Sequence, residues 1–156
     1  MIDLDHFKNV NDTWGHQAGD AVLVHVARLL QRRMRASDMI ARYGGEEFLV
    51  VLSDPNPDGI VTIADDLRRL VEQNSAEFGG QPIPITASFG VSVSLVNTEE
   101  AVQESIGRAD AALYAAKAMG RNRVVGWDET FNEGDDAVRD HIKTAHVASA
   151  PTFKIA

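Results

Sequence analysis

Hydrophobic residues recur along this chain at spacings that distinguish helices from strands. From Asp20, the segment DAVLVHVARLLQRRM places its apolar residues on one helical face, and Asp20 is the expected N-cap. The segment IVTIADDLRRLVEQ repeats this spacing and predicts a second helix. A third helix is predicted between Thr98 and Gly120, where a capping threonine, an alanine-rich interior and a glycine stop agree.

Short apolar runs between these helices predict strands. MIDLD is the end of one strand, and MIARY and FLVVL form a hairpin around GGEE, whose glycines we expect at positive φ and whose tip presents Glu46 and Glu47. PIPITASFGVSVSL is a long β-rich run, and RVVGW is a final strand. We expect polar loops before Asp20 and at SDPNPDG. This order predicts an α/β fold with helices packed on a mixed, mostly antiparallel sheet.

Composition narrows the class of protein. A chain of 156 residues with 44% hydrophobic content can bury the core of one domain. It has no cysteine, so a metal must be held by oxygen or imidazole, and a reducing cytoplasm is the expected location. No apolar run reaches the roughly 20 residues that span a bilayer, so we expect no membrane contact. The net charge of -8 argues against nucleic acid as a partner, although an acidic protein can bind a nucleotide through Mg²⁺.

Paired acidic residues on the first strand are the first candidate site. Asp3 and Asp5 are two residues apart and therefore share a face, while Leu4 offers its backbone carbonyl. Such a pair is also common on solvated strand ends, where it binds nothing.

The GGEE hairpin is the second candidate site. Gly44 and Gly45 lack side chains, so a bulky group can approach the backbone beside Glu46, although a GG hairpin is often only structural. If the tip lies beside the first strand, the carboxylates converge and raise one another's pKa, and a divalent cation is the natural counter-charge. Oxygen ligands select Mg²⁺, Mn²⁺ or Ca²⁺.

These motifs together resemble a known family. DLDHFKNVNDTWGHQAGD, followed by RYGGEEF, ITASFGVS and ADAALYAAKAMGRN, is similar to the GGDEF domain of diguanylate cyclases, with Glu46 in place of the family's aspartate. The resemblance covers residues 1–127 and implies a palm-like nucleotidyl cyclase sandwich. Relative to the family, the first helix and most of the first strand are expected to be missing, and residues 128–156 form a tail of unknown role.

The resemblance also implies an activity. Such an enzyme condenses two GTP molecules into cyclic di-GMP, with release of two pyrophosphates, and serves bacterial signalling. Each domain holds one GTP, so a homodimer is needed. Asp3, the Leu4 carbonyl and Glu46 would hold two Mg²⁺ ions, with Mn²⁺ as a substitute. Glu46 would accept a proton, and Glu47 would support the metal region.

The remaining implied contacts are with the nucleotide. They are guanine contacts from Asn11 and Asp20, a nucleotide contact from His16, close approach at Gly44 and Gly45, and phosphate contacts from Lys8, Lys117 and Arg121. Without the resemblance, His16 is equally a histidine that orders its loop, and Lys117 and Arg121 are ordinary cations near a helix C-terminus.

The segment RASD matches the family's inhibitory product site at the expected spacing before GGEEF. Arg35 would fork onto phosphate and guanine of cyclic di-GMP, and Asp38 would accept from guanine. The alternative is a helix that ends in a basic residue and a polar turn.

Three interpretations stay open from the sequence. The first is an active diguanylate cyclase with product inhibition. The second is a catalytically impaired module of the same fold that binds GTP or cyclic di-GMP as a sensor. The third is another nucleotidyl cyclase on this scaffold, which the guanine-reading positions Asn11 and Asp20 disfavour.

Overall fold

The chain alternates helices with short strands. The computed structural model describes residues 1–53, 59–94 and 98–127. In these ranges the elements are, in chain order, β1 (Ile2–Leu4), α1 (Phe7–Trp14), α2 (His16–Gln31), β2 (Met39–Arg42), β3 (Glu47–Val51), α3 (Ile60–Gln73), β4 (Ala76–Phe78), β5 (Gln81–Ile83), β6 (Ala87–Val91), α4 (Glu99–Ala118) and β7 (Val124–Gly126). None of the helices described is long and apolar enough to cross a membrane.

A five-stranded sheet organises the molecule, with strand order β2-β3-β1-β6-β7. The pairs of β1 with β3, β1 with β6 and β2 with β3 are antiparallel, and β6 with β7 is parallel. The predicted mixed, mostly antiparallel sheet is therefore confirmed. The three-residue strand β1 occupies its centre, so residues on β1 contact both halves of the sheet.

Helices α3 and α4 both contact β6. Their buried residues belong to separate core clusters, because Leu67 of α3 packs with Phe89 and Leu113 of α4 packs with Leu49. A Cβ at Gly90 in β6 would overlap the backbone at Ala109 and Leu113, so α4 lies directly on the strand. The aromatic motif residues Phe7, Phe48 and Phe89 are all buried in the core. Close packing of α4 on β6 brings the C-terminal end of α4 toward the central strand.

Both predicted ends of α4 are confirmed. The Thr98 hydroxyl accepts a hydrogen bond from the Ala101 N–H at 3.3 Å. At the other end, Gly120 has a φ of 109°, and the Arg121 N–H donates to the Ala116 carbonyl at 3.0 Å. This glycine-terminated turn is the Schellman arrangement, which reverses the chain directly after the helix.

The predicted polar loop before Asp20 is wrong, because those residues form α1 and the start of α2. Phe7 and Val10 are three residues apart and both buried, which gives α1 an apolar face despite its many polar residues. Gly15, with φ 83° and ψ 163°, separates the two helices in a conformation that essentially only glycine adopts. Helix α2 begins at His16, so Asp20 lies within it and is not its N-cap.

The β2–β3 hairpin forms as predicted, but neither Gly44 nor Gly45 has a positive φ. The positive-φ pair is Gly79 and Gly80, at 59° and 76°, which join β4 to β5 in a separate hairpin that the sequence analysis missed. Most of the SDPNPDG loop and the tail at 128–156 lie outside the described residues.

Candidate active site

Carboxylates of β1 and of the β2–β3 hairpin lie side by side. Asp3 is opposite Glu47 in the pairing of β1 with β3. The Leu4 N–H donates to the carbonyl oxygen of Glu46 at 3.2 Å, which fixes the hairpin tip beside the end of β1. Asp3 is buried, whereas Glu46 and Glu47 are half-buried. Three carboxylates therefore share a small volume of low polarity, a set we call the carboxylate cluster.

Burial and mutual repulsion both act on the carboxylate cluster. Burial raises the pKa of Asp3, and the nearby Asp5 charge raises it further. Burial also raises the pKa of Glu46 and of Glu47, and the Asp3 charge adds to both shifts. The cluster thus carries more negative charge than its surroundings neutralise, and an added cation stabilises it.

Lys117 supplies the positive charge that is nearest to the cluster. Its Nζ lies 2.7 Å from Asp3 Oδ2, and it opposes the raised pKa of Asp3, Glu46 and Glu47. Arg121 is also close enough to lower the pKa of Asp3. Both cations reach the cluster because α4 ends beside β1 and the chain turns back at Gly120. Of the residues read as phosphate contacts, Lys117 therefore contacts the carboxylate cluster and Arg121 acts on Asp3 from a longer distance.

The donors of this cluster fit a hard divalent cation. They are carboxylate and backbone carbonyl oxygens, the ligands that Mg²⁺ and Mn²⁺ prefer. Within the described ranges, no group of three or more His, Cys, Asp or Glu side chains is placed so that it could hold a metal ion by itself. Mg²⁺ is commonly held by one or two carboxylates together with phosphate oxygens of a substrate, and such a metal does not require three side-chain ligands from the protein.

Helices α1 and α2 form a second polar region through close contact. A Cβ at Gly19 would overlap the Asn11 side-chain oxygen and come within 3.1 Å of Phe7. Asn11 therefore lies directly over Gly19, and the exposed Asp20 is the next residue of α2. The two residues predicted to read guanine thus lie on helices that glycine allows to approach closely, and their joint role stays a prediction.

The turn between α2 and β2 contains Arg35 and Asp38. Asp38 Oδ2 accepts from the Arg35 N–H at 2.8 Å, and Asp38 Oδ1 accepts from the Ser53 N–H at 3.2 Å. Asp38 thus orders the turn, as expected if RASD is only a helix end followed by a polar turn. The Arg35 side chain is exposed, and among the described residues it has no hydrogen bond or ion pair.

Comparison with known proteins assigns the chain to a family. The profile of the family described as "Diguanylate cyclase, GGDEF domain" matches residues 1–123. The chain belongs to the GGDEF family. Diguanylate cyclase A of Treponema denticola is 46% identical over 124 residues, which cover 80% of this chain and 33% of that protein. The chain spans 18–33% of the length of the first three curated relatives it matches.

Solved GGDEF domains share the fold. The GGDEF domain of DgcB from Caulobacter crescentus, solved in complex with c-di-GMP, is 38% identical with a TM-score of 0.72, over 80% of this chain and 72% of that one. The active GGEEF domain of a diguanylate cyclase from Vibrio cholerae is 32% identical with a TM-score of 0.73, over 82% and 80% of the two chains. The second domain carries the same GGEEF variant as this chain.

The space beside the two glycines of the GGEEF motif differs from the sequence prediction. The Glu47 carboxylate occupies the space beside Gly44 that was expected to admit a bulky ligand, whereas the space beside Gly45 is open. Lys8 on α1 and His16 at the start of α2 are both exposed. The described contacts connect neither of them to the carboxylate cluster, so their roles stay predictions.

Two residues of the GGDEF domain acquire importance only in three dimensions. Gly19 is required for the α1–α2 contact, and a glycine inside a helical pattern is the signal that could have identified it. Asp5 is buried and accepts hydrogen bonds from Thr86 Oγ1, Ser88 Oγ and the Asn122 N–H. The strand pattern places Asp5 beside Asp3, but it contains no signal for a partner 117 positions away.

We predict that Glu46→Gln stabilises the fold at neutral pH in the absence of divalent metal. The raised pKa of Glu46 means that its ionised form disfavours the folded state. The contribution of Glu46 to the free energy of unfolding is therefore most favourable at a pH below the pKa that Glu46 has in the unfolded chain. It is lost as the pH rises through the pKa of Glu46 in the folded protein. Because solvent screens this half-buried group, thermal or urea unfolding should show a small gain at pH 7, below about 1 kcal/mol, that shrinks toward pH 4.

The matched control is Glu77→Gln on β4, an exposed carboxylate outside the cluster, which should change stability little. A Glu46→Gln variant that is less stable than the wild type at pH 7 would contradict the electrostatic account of the cluster.

Proposed function

We propose that this GGDEF domain converts two GTP molecules into cyclic di-GMP and two pyrophosphates. The observation that carries the proposal is the convergence of Asp3, Glu46 and Glu47 with Lys117 in a chain that belongs to the GGDEF family. Such an arrangement would suit metal-bound phosphate, with carboxylates to hold the metal and an ammonium group to neutralise phosphate charge. Positioning and charge stabilisation of this kind supply most of what phosphoryl transfer needs from a protein.

The carboxylate cluster performs the chemistry in this proposal. Asp3, the Leu4 carbonyl and Glu46 would hold two Mg²⁺ ions, which would lower the pKa of the ribose 3′-hydroxyl and neutralise the triphosphate. Glu46 would accept the proton of that hydroxyl, which the bound metal would make more acidic. The 3′-oxygen then attacks the α-phosphorus of the second GTP, and pyrophosphate leaves. Glu47, which is opposite Asp3 in the strand pairing, would support the metal region.

Lys117 has two roles in this mechanism. Without nucleotide it neutralises Asp3 at 2.7 Å. When GTP enters, its flexible ammonium moves from the carboxylate to a phosphate oxygen, and Lys8 and Arg121 add charge to the triphosphate. Because each domain holds one GTP, both bonds of the cyclic product form only when two domains meet face to face, so the proposal includes a homodimer.

Guanine binds between α1 and α2 in this proposal. The Asp20 carboxylate accepts the two N–H groups on one edge of guanine, and the Asn11 amide serves the remaining polar edge. Because Gly19 has no side chain, Asn11 can occupy the space above it. His16, in the first turn of α2, would add a contact to the nucleotide. Adenine lacks the paired donors, so this region selects GTP.

The first experiment is incubation of the protein with GTP and Mg²⁺, with detection of cyclic di-GMP by mass spectrometry. We expect product from the wild type and a loss of about 100-fold or more in Glu46→Gln, which keeps the fold but loses the metal-binding charge and the base. Glu77→Gln should retain the wild-type rate. GTP binding without product would identify a nucleotide-binding sensor module, and full activity of Glu46→Gln would exclude this residue from the chemistry.

The second prediction concerns the guanine region. Asp20→Ala should weaken GTP binding by the value of a charged hydrogen-bond acceptor, about 1.5–3 kcal/mol, and reduce the preference for GTP over ATP. Asp66→Ala on α3 removes an equally exposed aspartate and should leave both affinities unchanged. Competition titrations with GTP and ATP measure the ratio of the two affinities. An unchanged ratio in Asp20→Ala would refute the guanine-reading role.

A separate product site at the Arg35 turn completes the proposal. Asp38 already holds the turn in place through the Arg35 and Ser53 N–H groups, which leaves the exposed Arg35 guanidinium on a fixed backbone. A preorganised guanidinium can fork onto phosphate or guanine of cyclic di-GMP. The DgcB domain, solved with c-di-GMP, supports recognition of this product by the fold.

Arg35→Ala should relieve inhibition by cyclic di-GMP without lowering the initial rate, because the turn lies outside the carboxylate cluster. Inhibition in the wild type should be non-competitive with GTP. Arg28→Ala, on an exposed position of α2, is the matched control and should stay inhibited. Competitive inhibition that persists in Arg35→Ala would show that product returns to the active site and that RASD is only a helix end.

A further inference from the structure

Two consecutive left-handed residues connect α4 to β7. Arg121 has a φ of 64° and Asn122 a φ of 46°. Residues other than glycine rarely adopt this conformation, and asparagine tolerates it far better than arginine. Arg121 therefore requires the surrounding structure to hold it in place.

The first anchor of this turn is Asp5. Its Oδ2 accepts from the Asn122 N–H at 3.0 Å and from Thr86 Oγ1 at 2.7 Å, while its Oδ1 accepts from Ser88 Oγ at 2.7 Å. Asp5 is only 4% exposed. The two hydroxyls fix the carboxylate, and the carboxylate fixes the backbone of the turn to the central strand.

The second anchor is on α3. Asn122 Nδ2 donates to Glu72 Oε1 at 2.7 Å, and Asn122 Oδ1 accepts from Arg68 Nη1 at 2.8 Å. Arg68 also holds Glu72 Oε2 at 2.8 Å and Asp65 Oδ1 at 2.7 Å. The Asn122 amide therefore closes a ring of hydrogen bonds with an ion pair that is itself fixed on the helix.

Asparagine suits this position better than its close analogues. Aspartate could not donate to Glu72 and would place a third carboxylate beside Asp5 and Glu72. Glycine would adopt the backbone conformation but has no side chain to reach α3. Only a side chain with both a donor and an acceptor satisfies Glu72 and Arg68 together.

We propose that Asn122 is a positioning residue that presents the Arg121 guanidinium to the triphosphate of the bound nucleotide. Anchoring by Asp5 on one side and by Arg68 and Glu72 on the other holds the left-handed turn, from which the Arg121 charge is close enough to act on Asp3. This inference rests on the proposed GTP site. It adds Asn122 and its anchors, which do not contact substrate, to the residues that determine nucleotide affinity.

The test is a double-mutant cycle measured by calorimetric titration with 3′-deoxy-GTP and Mg²⁺. This nucleotide lacks the attacking hydroxyl and therefore binds without turnover. The proteins are the wild type, Asn122→Gly, Arg121→Ala and the double variant. Asn122→Gly keeps the left-handed backbone accessible and removes only the side-chain anchors. Asn74→Gly, which removes an asparagine at the exposed end of α3, is the matched control.

We expect Asn122→Gly to weaken binding about fivefold, through loss of preorganisation. In the Arg121→Ala background the same substitution should have no further effect, because no guanidinium is left to position. Asn74→Gly should bind like the wild type. Melting temperatures identify any loss of stability caused by Asn122→Gly. Such a loss would weaken binding equally with and without Arg121, so it would not produce an effect confined to the protein that retains Arg121.

Two other results would overturn the inference, and they are distinguishable. Equal weakening by Asn122→Gly with and without Arg121 would show that the turn is only structural, while the proposed function stands. A folded wild type that does not bind 3′-deoxy-GTP would overturn the proposed function together with this inference.

Discussion

Two buried carboxylates, Asp3 on the short central strand and Asp5 directly after it, constrain most of this structure. Asp3 and Asp5 are 6% and 4% exposed, and an isolated buried charge is strongly unfavourable. Each must therefore be compensated by groups from distant parts of the chain. The end of α4 supplies Lys117 to Asp3, and β6 and the segment before it supply two hydroxyls to Asp5. The positions of α4, β6 and the turn into β7 follow from this requirement.

The two carboxylates are compensated to different degrees. This difference indicates a structural role for Asp5 and a functional role for Asp3. Asp5 has three donors and serves as an anchor. Asp3 has a raised pKa despite its ion pair, because Asp5 adds repulsion to its burial, and Glu46 and Glu47 have raised values as well. A fold selected for stability alone would not collect three such groups, since active sites commonly retain interactions that destabilise the empty protein. In the proposed function, the remaining negative charge would give the cluster its affinity for a metal and its nucleotide.

The sequence predicted the elements whose signals are local and strong. The caps of α4, the periodicity of α3 and the β2–β3 hairpin needed no tertiary information. Helix α1 was missed because Phe7 and Val10 give only a short apolar pattern among polar residues, and its end depends on the conformation of Gly15. For the site, Asp3, Leu4 and Glu46 lie near one another, as strand alternation and a hairpin tip predict, and their role as metal ligands stays a prediction. The Asn122 anchors could not be predicted, since Asp5 and Glu72 lie 117 and 50 positions away and no local pattern relates them.

The hairpin connects the Arg35 turn to the carboxylate cluster, and its geometry limits how one could influence the other. Asp38 directly precedes β2, which pairs with β3 over four residues, from Met39 with Val51 to Arg42 with Phe48. The Asp38 bond to the Ser53 N–H joins the two strands again beyond this ladder. Such a doubly fixed hairpin has no alternative register that a ligand could select, and coupling within one domain requires a two-state element. In the proposed homodimer, a ligand at the turn would therefore act on the relative placement of the two domains more readily than on Glu46 within its own domain.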